Sequence, residues 1–142
     1  MILVVEDDRG IREAIVSLLN VKGHEAMPIF GRQEAIYKLD QIAVDLVLLD
    51  LDMPHEDGWR ILEALNFKRP MLPVIALTAF SNPKYAIVAR NDFHVLEKPF
   101  EPAYLLKLIE SIMPQSLEKR MTAPNSKVQS FDDRDFVHRD SH

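Results

Sequence analysis

The sequence predicts an α/β fold: a doubly wound, five-stranded parallel sheet with helices on both faces. Three observations carry that prediction. Short aliphatic runs alternate along the chain with segments whose apolar residues recur at helical spacing. Three of the runs, Ile2-Leu3-Val4-Val5, Leu46-Val47-Leu48-Leu49 and Val74-Ile75-Ala76-Leu77, are aliphatic on successive residues, as strands buried on both sides are. Two of them stop at acids, at Glu6-Asp7-Asp8 and at Asp50.

Taken in order, Ile2–Val5 reads as the first strand. Ile11, Ala14, Ile15, Leu18 and Leu19 keep the spacing of a buried helix face, and Gly23 supplies its stop. His24–Ile29 is a more polar strand, and Ala35, Ile36 and Leu39 mark a short helix. Asp45–Leu49 is the next strand, ended by Asp50 and Pro54. Asp57-Gly58 reads as a turn in which glycine takes a conformation other residues resist. It opens a helix carrying Trp59, Ile61, Leu62 and Leu65. Pro73–Leu77 is a strand ending at Thr78. Pro83 can start a helix through Ala86 and Ala89, since proline is tolerated in a first turn. Phe93–Leu96 is the fifth strand, ending near Lys98-Pro99, and Glu101-Pro102 opens a last helix with Leu105, Leu108, Ile109 and Ile112. The second and fifth strands are the more polar ones and suit the sheet edges. After Met113-Pro114 the apolar periodicity lapses. Residues 1–114 therefore read as the domain and 115–142 as a polar, disordered tail, within which Ser116–Met121 can form a short helix.

Composition narrows the function. A chain of 142 residues suits one domain, burying about two-thirds of its unfolded surface. Its net charge of −5 argues against a nucleic-acid backbone as a direct partner. The absence of cysteine excludes disulfides, thiol nucleophiles and cysteine-type zinc sites, and fits a cytoplasmic protein. No apolar run approaches the ~20 residues of a membrane span, and the N-terminal segment does not read as a signal peptide. His24, His55 and His94 are scattered without ligand spacing, so no histidine metal site is expected.

In a parallel sheet all strands end on one edge, where open α/β sheets bind their ligands. That edge collects Glu6, Asp7, Asp8, Asp50, Thr78 and Lys98. Clustered carboxylates suit a hard divalent cation such as Mg2+. A carboxylate can attack phosphorus to give an aspartyl phosphate. A hydroxyl can donate to a phosphoryl oxygen, and a lysine ammonium neutralises phosphoryl charge. Together these residue types match phosphoryl transfer onto Asp50 by positioning and electrostatics. Asp8 reads as a helix N-cap rather than a ligand.

Five segments in order carry a resemblance: Val4-Val5-Glu6-Asp7-Asp8, Leu49-Asp50-Leu51-Asp52-Met53-Pro54, Asp57-Gly58, Leu77-Thr78-Ala79 and Lys98-Pro99-Phe100. The chain resembles the receiver domain of two-component response regulators over about residues 1–114. The resemblance implies the flavodoxin-like strand order 2-1-3-4-5, for which a receiver protein is itself a standard example. It implies Asp50 as phosphoacceptor, Thr78 as switch hydroxyl and Lys98 as the phosphate-contacting lysine. It implies a Mg2+ site of Glu6, Asp7, Asp50 and the backbone carbonyl of Asp52, with Asp7 a direct ligand, and a cis peptide at Lys98-Pro99. It implies a histidine kinase or histidine phosphotransfer protein as donor, a downstream protein target, and no chemistry of its own beyond gaining and losing the phosphoryl group.

The chain departs from that pattern in places. Val95 stands where the family usually has an aromatic switch residue, and Phe93 or Tyr85 are the rings nearby in sequence. The stretch between Thr78 and Lys98 is short, with Arg90-Asn91 before the fifth strand. Residues 115–142 are too few and too polar for a DNA-binding output module. Asp52 and Phe80, two positions after Asp50 and Thr78, are candidates for setting aspartyl-phosphate lifetime. Two other functions stay open: a receiver fold used as a phosphorylation-independent docking module, and a haloacid-dehalogenase-type phosphatase suggested by the Asp50-Leu51-Asp52 run.

Overall fold

The structure, a computed structural model, describes residues 1–54, 57–79, 81–83, 86 and 94–121, with side chains through 113. Five strands, β1 (Ile2–Val5), β2 (Ala26–Ile29), β3 (Leu46–Asp50), β4 (Val74–Ala79) and β5 (His94–Lys98), form one parallel sheet in the order β2-β1-β3-β4-β5. The described helices are α1 (Arg9–Val21), α2 (Arg32–Gln41), α3 (Gly58–Lys68) and α4 (Pro102–Met121). The helix expected from Pro83 through Ala89 lies largely outside the described residues.

The two-residue period of each strand decides what packs where. Leu3, Val5, Val47, Leu49 and Ala76 point to one face and meet Ala35 and Leu39 of α2 and Ile61, Leu62 and Leu65 of α3. Ile2, Val4, Leu46, Leu48, Ile75 and Leu77 point to the other and meet Ile15 and Leu19 of α1 and Leu105, Ile109 and Ile112 of α4. The uninterrupted aliphatic runs are thus the signature of a sheet covered on both faces. The edge strands are β2 and β5, as their polarity predicts. Pro28 sits in β2, where the outer side needs no donor.

The element ends have local causes. The Asp8 side chain accepts a hydrogen bond from the backbone N–H of Ile11 (2.9 Å) and caps α1. Gly23, at φ 91°, ends that helix. Its N–H donates to the Asn20 carbonyl (3.1 Å) and that of His24 to the Leu19 carbonyl (2.9 Å), the paired bonds of a Schellman motif. Because His24 is held in that motif, β2 begins at Ala26 and not at His24. β5 ends at Lys98, as the sequence led one to expect, with Glu97 and Lys98 pairing with Thr78 and Ala79. The final helix continues through Pro114 to Met121, although an interior proline lacks one helix donor. The short helix expected at Ser116–Met121 is present, joined to the last helix and not set apart in a disordered tail.

Gly58 is needed for a reason other than the one the sequence suggests. Asp57 is the N-cap of α3, accepting from Arg60 N (3.3 Å), and Gly58 is the first residue of the helix, not a turn residue at positive φ. A Cβ there would lie 2.7 Å from the Asp50 carbonyl oxygen and 2.7 Å from Leu51 Cα. Both are backbone atoms, so α3 approaches the end of β3 only because position 58 has no side chain. Gly58→Ala is expected to destabilise the domain by about 1–3 kcal/mol, as overpacking does, although alanine is the better helix former. Urea unfolding measures this, and an unchanged or raised midpoint would contradict it.

Candidate functional site

Parallel strands leave their C-terminal tips on one edge, and there the predicted residues meet. Asp50, the last residue of β3, is only 3% exposed. Its Oδ1 accepts from Lys98 Nζ (2.7 Å) and from the backbone N–H of Asp52 (2.8 Å). Lys98 comes from the tip of β5, two strands away, and crosses β4 to reach it. Burial works against the Lys98 charge, yet the hydrogen bond and charge of Asp50, helped by Asp52 and Glu6, hold the ammonium above the ordinary lysine range.

Thr78 is fully buried on β4, and its hydroxyl does not bond to Asp50. It donates to Asp52 Oδ1 (2.8 Å). The same carboxylate accepts from the Ala79 N–H (2.8 Å, to Oδ2) and from Asn82 Nδ2 (2.6 Å, to Oδ1), and Lys98 Nζ lies 3.6 Å from its Oδ2. Burial pushes the Asp52 carboxyl up, but the bonds from Asn82, Thr78 and Ala79 and the Lys98 charge outweigh it and hold the group below the usual carboxylate range. Asn82 was not foreseen. Nothing in its sequence context marks it, because its role comes from the turn after β4.

Glu6, at the tip of β1, is buried. Its Oε2 accepts from the Asp8 N–H (3.2 Å), while its Oε1 is buried without a hydrogen-bond partner among the described residues. Burial first, then the adjacent Asp50, push its carboxyl up to about 7. Asp7 stands half-buried beside it, whereas Asp8 is spent on the α1 cap. Beneath this loop lies a second residue that sequence reasoning missed. Arg12 is buried, donating from Nη1 to the carbonyls of Glu6 (2.8 Å) and Asp7 (3.4 Å), with its guanidinium 4.2 Å from the centre of the Phe30 ring. Arg12, Ile15 and Leu19 form the buried face of α1, while Ile11 is 48% exposed. The signal was the helical spacing of Arg12 with Ile15 and Leu19, hidden by counting only apolar residues.

The residues present fit a hard cation. An unpartnered buried carboxylate oxygen on Glu6, beside a second carboxylate that raises its proton affinity, is what a divalent ion would relieve. Among the described residues no group of three or more His, Cys, Asp or Glu side chains forms a ready cage. Mg2+ does not require one, since it takes one or two carboxylates and fills its shell with water and phosphate oxygens. Val95, at the position where an aromatic was expected, is half-buried and packs on the α2–α3 side of the core. Phe80, Tyr85, Phe93 and His55 lie outside the described residues. The Lys98-Pro99 peptide is cis.

The raised Glu6 carboxyl carries a sign. An acid whose folded pKa exceeds its unfolded value of 4.5 stabilises the fold fully below that value, and the contribution is lost as pH rises through about 7. With divalent ions chelated, wild-type stability should therefore fall between pH 5 and 8, by on the order of 1–3 kcal/mol from this group. Glu6→Gln should flatten that part of the profile. Equal slopes in the two proteins, by urea unfolding, would remove Glu6 from the account.

Comparison with known proteins agrees with this fold. A family profile described as the response regulator receiver domain matches residues 2–110. The chain is 36% identical over 110 residues to response regulator protein FleR of Pseudomonas aeruginosa, covering 76% of this chain and 23% of that protein. It is 32% identical over 115 residues to response regulator RR06 of Streptococcus pneumoniae, covering 79% and 52% respectively. The chain thus spans between about a quarter and a half of the length of these curated relatives. Among solved structures, the receiver domain of NtrX from Brucella abortus superposes with a TM-score of 0.73 at 29% identity, covering 80% of this chain and 98% of that one. Chemotaxis protein CheY4 of Vibrio cholerae gives 0.70 at 25% identity, covering 78% and 96%. With its strand order, its acidic edge and these relatives, the chain belongs to the response regulator receiver domain family of two-component signalling.

Proposed function

We propose that this domain is a phosphorylation-dependent switch of a two-component system or phosphorelay, accepting a phosphoryl group on Asp50 from a phosphohistidine donor and acting through protein–protein contacts in the cytoplasm. One observation carries the reading: the nearly buried Asp50 carboxylate, bonded at once to the Lys98 ammonium (2.7 Å) and the Asp52 N–H (2.8 Å), with Glu6 alongside. An Asp50 oxygen attacks phosphorus. A P–O bond forms as the P–N bond to the donor imidazole breaks, and the electron pair leaves on the imidazole nitrogen. Lys98 holds Asp50 in place through their hydrogen bond and offsets charge on the incoming phosphoryl oxygens. Glu6, Asp7, Asp50 and the Asp52 backbone carbonyl would hold Mg2+, which when bound compensates the charge of the carboxylates and of the phosphoryl oxygens.

The donor is then a histidine kinase or histidine phosphotransfer protein and the acceptor of the signal a downstream protein. Among the described residues no helix is long and apolar enough to cross a membrane. The chain's own chemistry is limited to uptake and loss of one phosphoryl group.

Incubation of the full chain with acetyl phosphate and Mg2+, followed by intact mass measurement, should give a single phosphoryl adduct. The adduct should vanish in Asp50→Asn and on chelation. Lys98→Ala should slow its formation by at least about tenfold, as loss of a positioned charge does. A folded wild-type chain that takes no adduct would favour the docking-module reading instead.

A further inference from the structure

The Asp52 carboxylate sits in a constellation built for an anion. It receives a hydroxyl from Thr78, a backbone N–H from Ala79 and a side-chain amide from Asn82, all within 2.6–2.8 Å, with the Lys98 ammonium 3.6 Å away. The lysine simultaneously holds Asp50 at 2.7 Å. A phosphoryl group attached to Asp50 would look for the same kinds of donor, and two of these carry one proton each. The Thr78 hydroxyl and the Ala79 amide can each make one strong donation at a time. While Asp52 holds them, they are withheld from any oxygen on Asp50.

We infer that Asp52 is an internal occupant of the phosphoryl-binding donors, an autoinhibitory latch that ties the β3 and β4 outlets together until a phosphoryl group on Asp50 displaces it. The inference rests on the reading of Asp50 as phosphoacceptor and adds to it the device that couples the phosphoryl group to movement. A phosphoryl dianion beside Asp52 sets like charges against each other in a partly buried place. It also offers Thr78 and Ala79 a stronger acceptor. When they change partner, Asp52 loses the bonds that fix it, and the Asn82 side chain loses an acceptor that ties the turn after β4 to the loop after β3. The signal leaves through Asn82 and that turn. This gives the chain a lever where Val95 provides no ring. Asp52 is thus a positioning residue, acting through Thr78 and Asn82.

The latch makes a thermodynamic demand. A ligand that needs the open form binds more weakly by the fraction of time that form is populated. Beryllofluoride with Mg2+, a phosphoryl mimic, serves as the probe, and calorimetry on the full chain reads its affinity. Asp52→Ala is expected to tighten binding by about tenfold, the factor for a latch closed nine-tenths of the time. Removing a negative charge contributes to that change, so a second variant isolates the latch. Asn82→Ala alters no charge and should tighten binding by about threefold, with the Ala79 amide resonance shifted toward its beryllofluoride-bound position before any ligand is added. Weaker or unchanged binding in Asn82→Ala overturns the latch. Asn82→Ala alone decides if Asp52→Ala fails to unfold cooperatively. Acetyl phosphate on wild type separates the two levels. An adduct on Asp50 without tightening in the variants refutes the latch only, and no adduct refutes the phosphoacceptor reading and the latch with it.

Discussion

The structure depends on seating the Asp50 carboxyl group in a place that nearly excludes water. An isolated buried carboxylate costs several kcal/mol and would take up a proton instead. Here the Lys98 ammonium and the Asp52 N–H compensate it, and they reach it from β5 and from the turn just past β3. The pairing of Ala79 with Lys98 and of Asp50 with Leu77 sets the span that the lysine stem must bridge. That register is held by the two faces of the sheet. Sliding any central strand by one residue would turn its core side chains to the opposite face, against helices shaped for another set. The hydrophobic packing therefore fixes the position of a charge that lies at its margin.

Charge balance at this margin is uneven by design of the residues. Glu6, Asp50 and Asp52 crowd one edge, and the only cation bonded to their side chains among the described residues is Lys98. Glu6 answers by holding a proton more tightly. Arg12 approaches the same loop from behind, spending its hydrogen bonds on the carbonyls of Glu6 and Asp7 and resting its face on Phe30. It steadies the acidic loop without neutralising the carboxylates, which leaves their negative field toward the open side of the edge.

Much of this was legible in the residues. Aliphatic runs announced a sheet covered on both sides, acids at the strand tips announced the edge, and polarity assigned β2 and β5 to the margins. What stayed hidden depends on contacts between distant residues. Gly58 looks like a turn glycine, and only the approach of α3 to the Asp50–Leu51 backbone reveals that its missing side chain matters for space. Asn82 has no local signature, because its partner is thirty positions earlier and is brought near by the sheet. The lapse of apolar periodicity after Met113-Pro114 suggested a tail, whereas the backbone of α4 stays helical to Met121.

The length of α4 has a mechanical consequence. Its 20 residues measure about 30 Å along the axis, against roughly 17 Å for a five-residue strand such as β3. The helix starts just after β5, and Leu105, Ile109 and Ile112 dock it on the sheet. Because α4 is one continuous helix, a charge change at the strand tips that shifts its first turn carries the backbone as far as Met121 with it.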